Sequence, residues 1–273
     1  MRRTAALLLV LVLAGCGLGD EPDEARAGLP DGVTVSLDQA RSDMATRRVL
    51  ARVQNDGSEP LVVRELQVRL PRWGVPGRYE GPATVPPGGA LNLAVEAPTA
   101  ACGDGVDARV RLVLDGGAGT VDGGATDRFG AIARLLDRDC ADALLRVDAG
   151  APRLEGREIV LPLMFRTTGE DVTVGSVAGT VLLDLAPGED GRLDRRLAAG
   201  DRWSRDVRLA PARCDAHVVA EDKVGTLLPL QVTTRHGAVT TFLRPAPAVK
   251  GGLLDSVVRL CGIGQGDDPL LDD

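Results

Sequence analysis

Apolar residues along this chain recur mostly at every second position. Val33, Val35 and Leu37 alternate with other residues, as do Val49, Ala51 and Val53. The runs Leu66–Leu70, Leu91–Val95 and Val110–Leu114 continue the pattern. A period of two turns one side of an extended chain to a core and the other to water, so these runs predict half-buried strands. Between them stand Asp56-Gly57, Pro87-Gly88-Gly89 and Gly116-Gly117, the residue types that tight turns need. The second half repeats the pattern over 159–165, 172–185, 207–209, 226–232 and 239–243.

Two stretches follow a helical period instead. Phe129, Ile132, Leu135 and Leu136 share one helical face, and so do Leu253, Leu254, Val257 and Val258. Each precedes a cysteine, Cys140 or Cys261. The pattern predicts an all-β chain of two tandem immunoglobulin-like β-sandwich domains, with roughly seven strands apiece. One short helix closes each domain.

An internal repeat supports the division. Gly88 and Gly200 each stand fourteen residues before a cysteine, Cys102 or Cys214, with a proline (Pro98, Pro211) between. Val35-Ser-Leu37-Asp38 is matched by Leu145-Arg-Val147-Asp148, and a strand follows each at the same interval. Cys102 and Cys214 are 112 residues apart, far longer than a solenoid repeat, so each copy is a domain. The boundaries read as 31–141 and 142–262, with almost no linker between them. A short linker implies a fairly fixed relation between domains.

The repeat also orders the cysteines. Cys102–Cys140 and Cys214–Cys261 give one staple per domain, each closing a loop of about 40 residues, worth about 3–4 kcal/mol in the chain-entropy picture. Cross-domain pairing or a zinc site are the alternatives. Zinc ligands usually come in close pairs, and no two of these cysteines are close.

The fifth cysteine is different. Cys16 ends Leu13-Ala14-Gly15-Cys16, after Met1-Arg2-Arg3 and the apolar stretch Ala5–Leu13. A basic start, a short apolar run and small residues before a cut make a secretory signal. Nine apolar residues are too few to span a membrane, which takes about 20. The arrangement resembles the lipobox of bacterial lipoproteins. That resemblance implies removal of residues 1–15 and a diacylglyceryl group on the Cys16 sulfur, with palmitate-type acylation. It places the chain on the extracytoplasmic face of the cell membrane. An exported setting also suits disulfides. Residues 16–30 read as a flexible tether and 263–273 as an acidic disordered tail.

The formal net charge is −7, and loss of Arg2 and Arg3 makes it −9. An acidic chain argues against nucleic acid and against electrostatic docking on anionic lipid. Aromatic residues make up 2% of the chain, so Trp- and Tyr-rich recognition platforms are not available to it.

Candidate chemistry is sparse. The two histidines are His217 and His236. His217 lies in the polar run Cys214–Lys223, where Asp215, His217 and Glu221 have the donor types of a metal or acid–base site. An extended backbone there would put all three on one face. The competing reading makes Asp215 and His217 local backbone partners beside a disulfide. His236-Gly237 reads as a hairpin turn. Gly103–Asp107 weakly resembles a calcium loop but lacks the spaced oxygens and distal glutamate. No nucleophile elbow, zincin helix, phosphate loop or dinucleotide fingerprint is present, and no cofactor is implied.

With its lipobox and one disulfide per domain, the mature chain resembles two-domain immunoglobulin-like lipoproteins of high-GC Gram-positive bacteria. The Cys-Asp-x-His run at Cys214–His217 resembles a pattern in that group. The resemblance lends no catalytic residue. It implies a non-enzymatic, membrane-anchored envelope module that binds another envelope protein or a small ligand. A metal-dependent site at Asp215, His217 and Glu221, and a passive spacer, are the alternatives.

Overall fold

The computed structural model describes residues 26–44, 46–116, 119–220 and 224–263. The expected signal peptide, Cys16, the first part of the tether, Glu221 and nearly all of the acidic tail lie outside the described residues.

The first half forms β1 (Arg26–Ala27), β2 (Val33–Asp38), β3 (Arg48–Asn55), β4 (Leu61–Arg69), β5 (Gly77–Val85), β6 (Gly89–Glu96), β7 (Ala108–Leu114) and β8 (Gly119–Asp127). Their order across the sheet is β5-β4-β7-β8-β2-β3-β6, with β1 on β8. β8 pairs antiparallel with β7 through Ala125, then joins β2 in parallel at Thr126 and Asp127. That crossing folds the sheet on itself, and β5 and β6 at its two ends come back into contact. The alternating residues named from sequence, including Val35, Val53, Leu66 and Leu112, fill the enclosed apolar cluster.

The second half forms β9 (Leu145–Ala149), β10 (Arg153–Glu155), β11 (Glu158–Thr167), β12 (Val172–Val177), β13 (Leu183–Leu185), β14 (Arg192–Leu197), β15 (Arg202–Pro211), β16 (Leu228–Thr234) and β17 (Gly237–Leu243). One sheet runs β10-β11-β15-β13 with β9 also on β11, and the other runs β14-β12-β16-β17. Both turn apolar faces into a second cluster, with Leu161 and Phe165 from one sheet and Val174 and Leu230 from the other. Phe165 stacks on Trp203 at 5.0 Å between ring centroids.

Among the described residues, three α-helices accompany the strands: α1 (Ala131–Leu144), α2 (Ala216–Ala220) and α3 (Pro247–Cys261). Proline begins α3, and Gly262 ends it in the left-handed conformation, the stop that an α-helix favours. α1 starts after Gly130, also left-handed. Asp127 Oδ2 accepts the Ala133 N–H at 2.9 Å, satisfying one of the donors that the first turn leaves open.

α1 differs from its expected form in three ways. Phe129 lies before the helix and is 59% exposed, because the left-handed Gly130 separates it from the helical face. The helix continues past Cys140 to Leu144, and Leu145 begins β9 directly. The boundary expected between residues 141 and 142 therefore falls inside α1. The helix also serves both apolar clusters. Ile132, Leu135 and Leu136 belong to the first, whereas Cys140, Ala141 and Leu144 belong to the second.

Buried polar side chains clamp this helix. Asp139 is 3% exposed and receives both Arg47 guanidinium nitrogens as well as the Ala100 N–H at 2.8 Å. Arg47 also donates to the Ala97 and Pro98 carbonyls. Its hydrogen bonds to Asp139 hold the Arg47 pKa above the usual value against the cost of burial. Arg47 has φ 59°, a left-handed conformation that a non-glycine residue keeps only when its surroundings fix it. Arg72 donates to the Ala101 and Leu136 carbonyls at 2.8 and 2.7 Å. Arg138 reaches Gln39 of the first half at 2.6 Å and lies 5.8 Å from the Phe242 ring centroid in the second.

Two further differences have local causes. Arg26–Pro30, expected as part of the tether, is held by the first half, where β1 pairs with β8 and Gly28 N–H donates to the Asp122 carbonyl. Leu29 packs on the first cluster. It occupies the space where a side chain at position 123 would start, 2.4 Å from an ideal Cβ, so glycine is required there. The stretch 172–185 is not one strand, since β12 and β13 join different sheets. Thr180 turns the chain by accepting the Leu182 and Leu183 N–H groups and donating to the Gly225 carbonyl.

Asp139→Ala leaves the half-buried Arg47 without its carboxylate and the buried Ala100 N–H without its acceptor. It is expected to lower the unfolding free energy by about 3 kcal/mol, read as a shift in urea midpoint. Asp122 sits directly opposite Arg111 in the β7–β8 ladder, and Arg111's hydrogen bonds hold its carboxyl below the usual range. A lowered folded pKa contributes stability above about pH 4 that is lost as pH falls through the folded value. Asp122→Asn should therefore make the acid-side loss of stability shallower, by less than about 1 kcal/mol. Thermal melts from pH 6 down to pH 3 read this.

Candidate functional site

The Cys214–Lys223 run is helical at its centre, which corrects the extended backbone considered for it. α2 turns where the chain leaves Cys214, and the Cys214–Cys261 disulfide ties it to the end of α3. Asp215 Oδ1 accepts the His217 N–H at 3.0 Å, and its Oδ2 lies 3.7 Å from Arg213. The carboxylate thus caps the first turn of α2. His217 stands exposed on that turn. Glu221, the third residue of the expected constellation, lies outside the described residues. Beside Cys214 is a cavity of about 300 Å³, with Pro187, Pro211 and Leu260 among its walls.

A larger opening lies in the first half. It has a volume of about 760 Å³ and is lined by Pro71, Val106, Asp107, Ala108, Arg109, Ala125 and Asp127. Val106 and Asp107, at the end of the Gly103–Asp107 segment, form one wall, and the end of β8 forms another. Asp127 has one oxygen on the α1 N-terminus, while its buried Oδ1 has no hydrogen-bond partner. Val106 is 43% exposed. This groove combines apolar walls with two carboxylates and one guanidinium, the composition of a recognition site that fixes a ligand by a few polar contacts.

A third place escaped the sequence reading. Cys102 is bonded to Cys140. Ligand atoms of Cys102, Cys140 and His236 lie within 4.8 Å of one another, the one such group of three among the described residues. His236 occupies the turn of the β16–β17 hairpin, where Thr234 pairs with Gly237. The hairpin turn itself was legible, but its position against the Cys102–Cys140 pair was not. Cys140 belongs to the second apolar cluster and Cys102 packs against it. The first disulfide therefore lies at the junction between the halves, not inside the first.

No family model and no curated protein matches the chain. Among solved structures it is similar to red sea bream transglutaminase, at 12% identity and a TM-score of 0.23, covering 78% of this chain and 32% of the other. It is similar at 11% identity and a TM-score of 0.23 to a β-D-mannosidase from Dictyoglomus thermophilum, covering 79% and 22%. It is also similar to the YadV chaperone, at 12% identity and 0.19, covering 78% and 99%. The chain spans less than a third of the transglutaminase and less than a quarter of the mannosidase. TM-scores this low carry no argument about activity.

Among the described residues, no helix is long and apolar enough to cross a membrane. Asp215→Ala removes the α2 cap and is expected to lower stability by about 1 kcal/mol. A matching fall in thermal midpoint, the same with and without added divalent metal, is the expected result.

Proposed function

We propose that this chain is a lipid-anchored, extracytoplasmic, non-enzymatic binding module of the cell envelope. In this reading it is built from two tandem immunoglobulin-like sandwiches. The lipobox-like run at Cys16 supports the anchor and the location. The observation that carries the binding role is the groove of about 760 Å³ in the first half. Its walls can hold a ligand, with Asp107, Arg109 and Asp127 among them to make polar contacts with it. The partner is another envelope protein or a small ligand bearing a hydrogen-bond donor or a cationic group.

The junction supports the same role. With no residue between α1 and β9, the two halves are fixed at their join. A groove on such a body keeps a constant orientation relative to the rest of the molecule. Surface chemistry elsewhere suits solvent. On the sheet containing β11 and β15, Arg153 pairs with Glu155 and Asp206, and Arg208 with Glu155 and Glu158. Such matched charges give little affinity for a partner.

Two experiments test the proposal. Cys16→Ser should move the protein from the membrane fraction to the soluble fraction of producing cells. Mass spectrometry of the wild-type N-terminal peptide should show a lipidated residue 16; retained Met1 or an unmodified cysteine would refute the anchor. Val106→Arg, at an exposed position, fills the groove without touching either core. Crosslinking on intact cells should lose its specific product in this variant, and an unchanged pattern would leave the spacer role in its place.

A further inference from the structure

We propose that Cys102, Cys140 and His236, once the disulfide is reduced, form a binding site for a thiophilic metal ion such as zinc. Two thiolates and an imidazole are three of the four ligands of a tetrahedral zinc site, leaving the fourth position for water. In such a site zinc–sulfur and zinc–nitrogen bonds of roughly 2.3 and 2.0 Å place the ligand atoms about 3.5–3.8 Å apart. Here the three atoms already lie within 4.8 Å of one another. Once reduced, the two sulfurs separate from their bonded distance, and the proposal requires that side-chain rotation then bring all three atoms to ligand spacing.

Contacts other than the disulfide also hold the backbone at these three residues. Cys102 follows a segment pinned on both sides of its peptide groups. Ala100 N–H donates to Asp139, Ala101 N–H to the Arg72 carbonyl, and Arg72 Nε to the Ala101 carbonyl. Trp73 and Ala100 form a further bridge. Cys140 is fixed within α1, one residue from Asp139. His236 is held by its own turn, where its N–H donates to Thr234 Oγ1. The salt bridge between Arg235 and Glu170, at 3.0 Å, anchors the hairpin tip. Reduction therefore leaves two thiols facing each other with an imidazole beside them.

The chemistry balances with a thiol reductant. Two reductant thiols give two electrons and two protons to the Cys102–Cys140 bond and leave as their own disulfide. Metal binding then displaces the two cysteine protons. The site lies at the junction of the two halves, with two ligands from the disulfide there and one from the β16–β17 hairpin. Metal would thus replace the disulfide as the link at the junction and extend that link to β16 and β17.

The test uses the mature chain treated with a phosphine reductant and titrated with cobalt(II), then zinc(II). The expected result is one equivalent of cobalt with a thiolate-to-cobalt charge-transfer band and tetrahedral visible bands, displaced by zinc. The signal should persist in Cys214→Ala/Cys261→Ala and vanish in Cys102→Ala/Cys140→Ala. His236→Gln, at an exposed turn, should weaken affinity at least about tenfold, since loss of an outer-shell partner alone costs that much. If reduction unfolds the chain, zinc should restore its β-sheet circular dichroism. No thiolate band in the folded reduced chain, equal affinity in His236→Gln, or a reduced chain that zinc fails to refold would each overturn the proposal.

Discussion

The Arg47–Asp139 pair is the interaction on which the rest of this structure depends. It fixes α1 against the first half, and α1 is where the two halves meet. A carboxylate 3% exposed is costly to bury unless its oxygens are filled. Here two guanidinium nitrogens and a backbone N–H fill them. The same guanidinium closes the Ala97 and Pro98 carbonyls and holds its own backbone in a left-handed turn. One ion pair thus ties together the β2–β3 connection, the segment before Cys102 and the helix.

What the helix does follows from that anchoring. Its first turns belong to one apolar cluster and its last turns to the other. It spans fourteen residues, about 21 Å at the rise of an α-helix, and passes straight into a strand. Arg138 repeats the bridging with one side chain. It donates to Gln39 on one side and stacks on Phe242 on the other. Burial lowers its pKa, with Arg244 nearby adding to the effect. Asp142, near the helix end, accepts from Thr241 and Arg244 of the second half. The disulfide at Cys140 and the histidine at 236 meet in this same junction, which is why its chemistry belongs to neither half alone.

The strands were readable because each carries its own instruction. Val33-Thr-Val35-Ser-Leu37 states its buried face without reference to anything distant, and the structure buries those residues. The cysteine pairing was readable because the repeat set one copy beside the other, and the structure joins the same cysteines. The second half of α1 was not. Asp137-Arg138-Asp139 carries no local sign of burial, and its partners lie far away in sequence: Arg47 is 92 residues from Asp139 and Gln39 is 99 from Arg138. The Cys102–Cys140–His236 group was hidden for the same reason, since it exists only through the packing of one half on the other. The Asp215 capping role turned on whether the run was helical, and five residues carry too little periodicity to decide that.

The shared helix makes a claim about cooperativity, and each half carries one tryptophan to report on it. Trp73 is buried in the first cluster, and Trp203 packs on the second. Urea unfolding of Trp73→Phe and Trp203→Phe, followed by the fluorescence of the remaining tryptophan, measures each half in turn. After correction for each variant's own stability from far-UV circular dichroism, the two halves should lose structure at the same midpoint. Well-separated fluorescence midpoints, with one half still folded after the other has opened, would contradict an architecture in which one helix completes both cores.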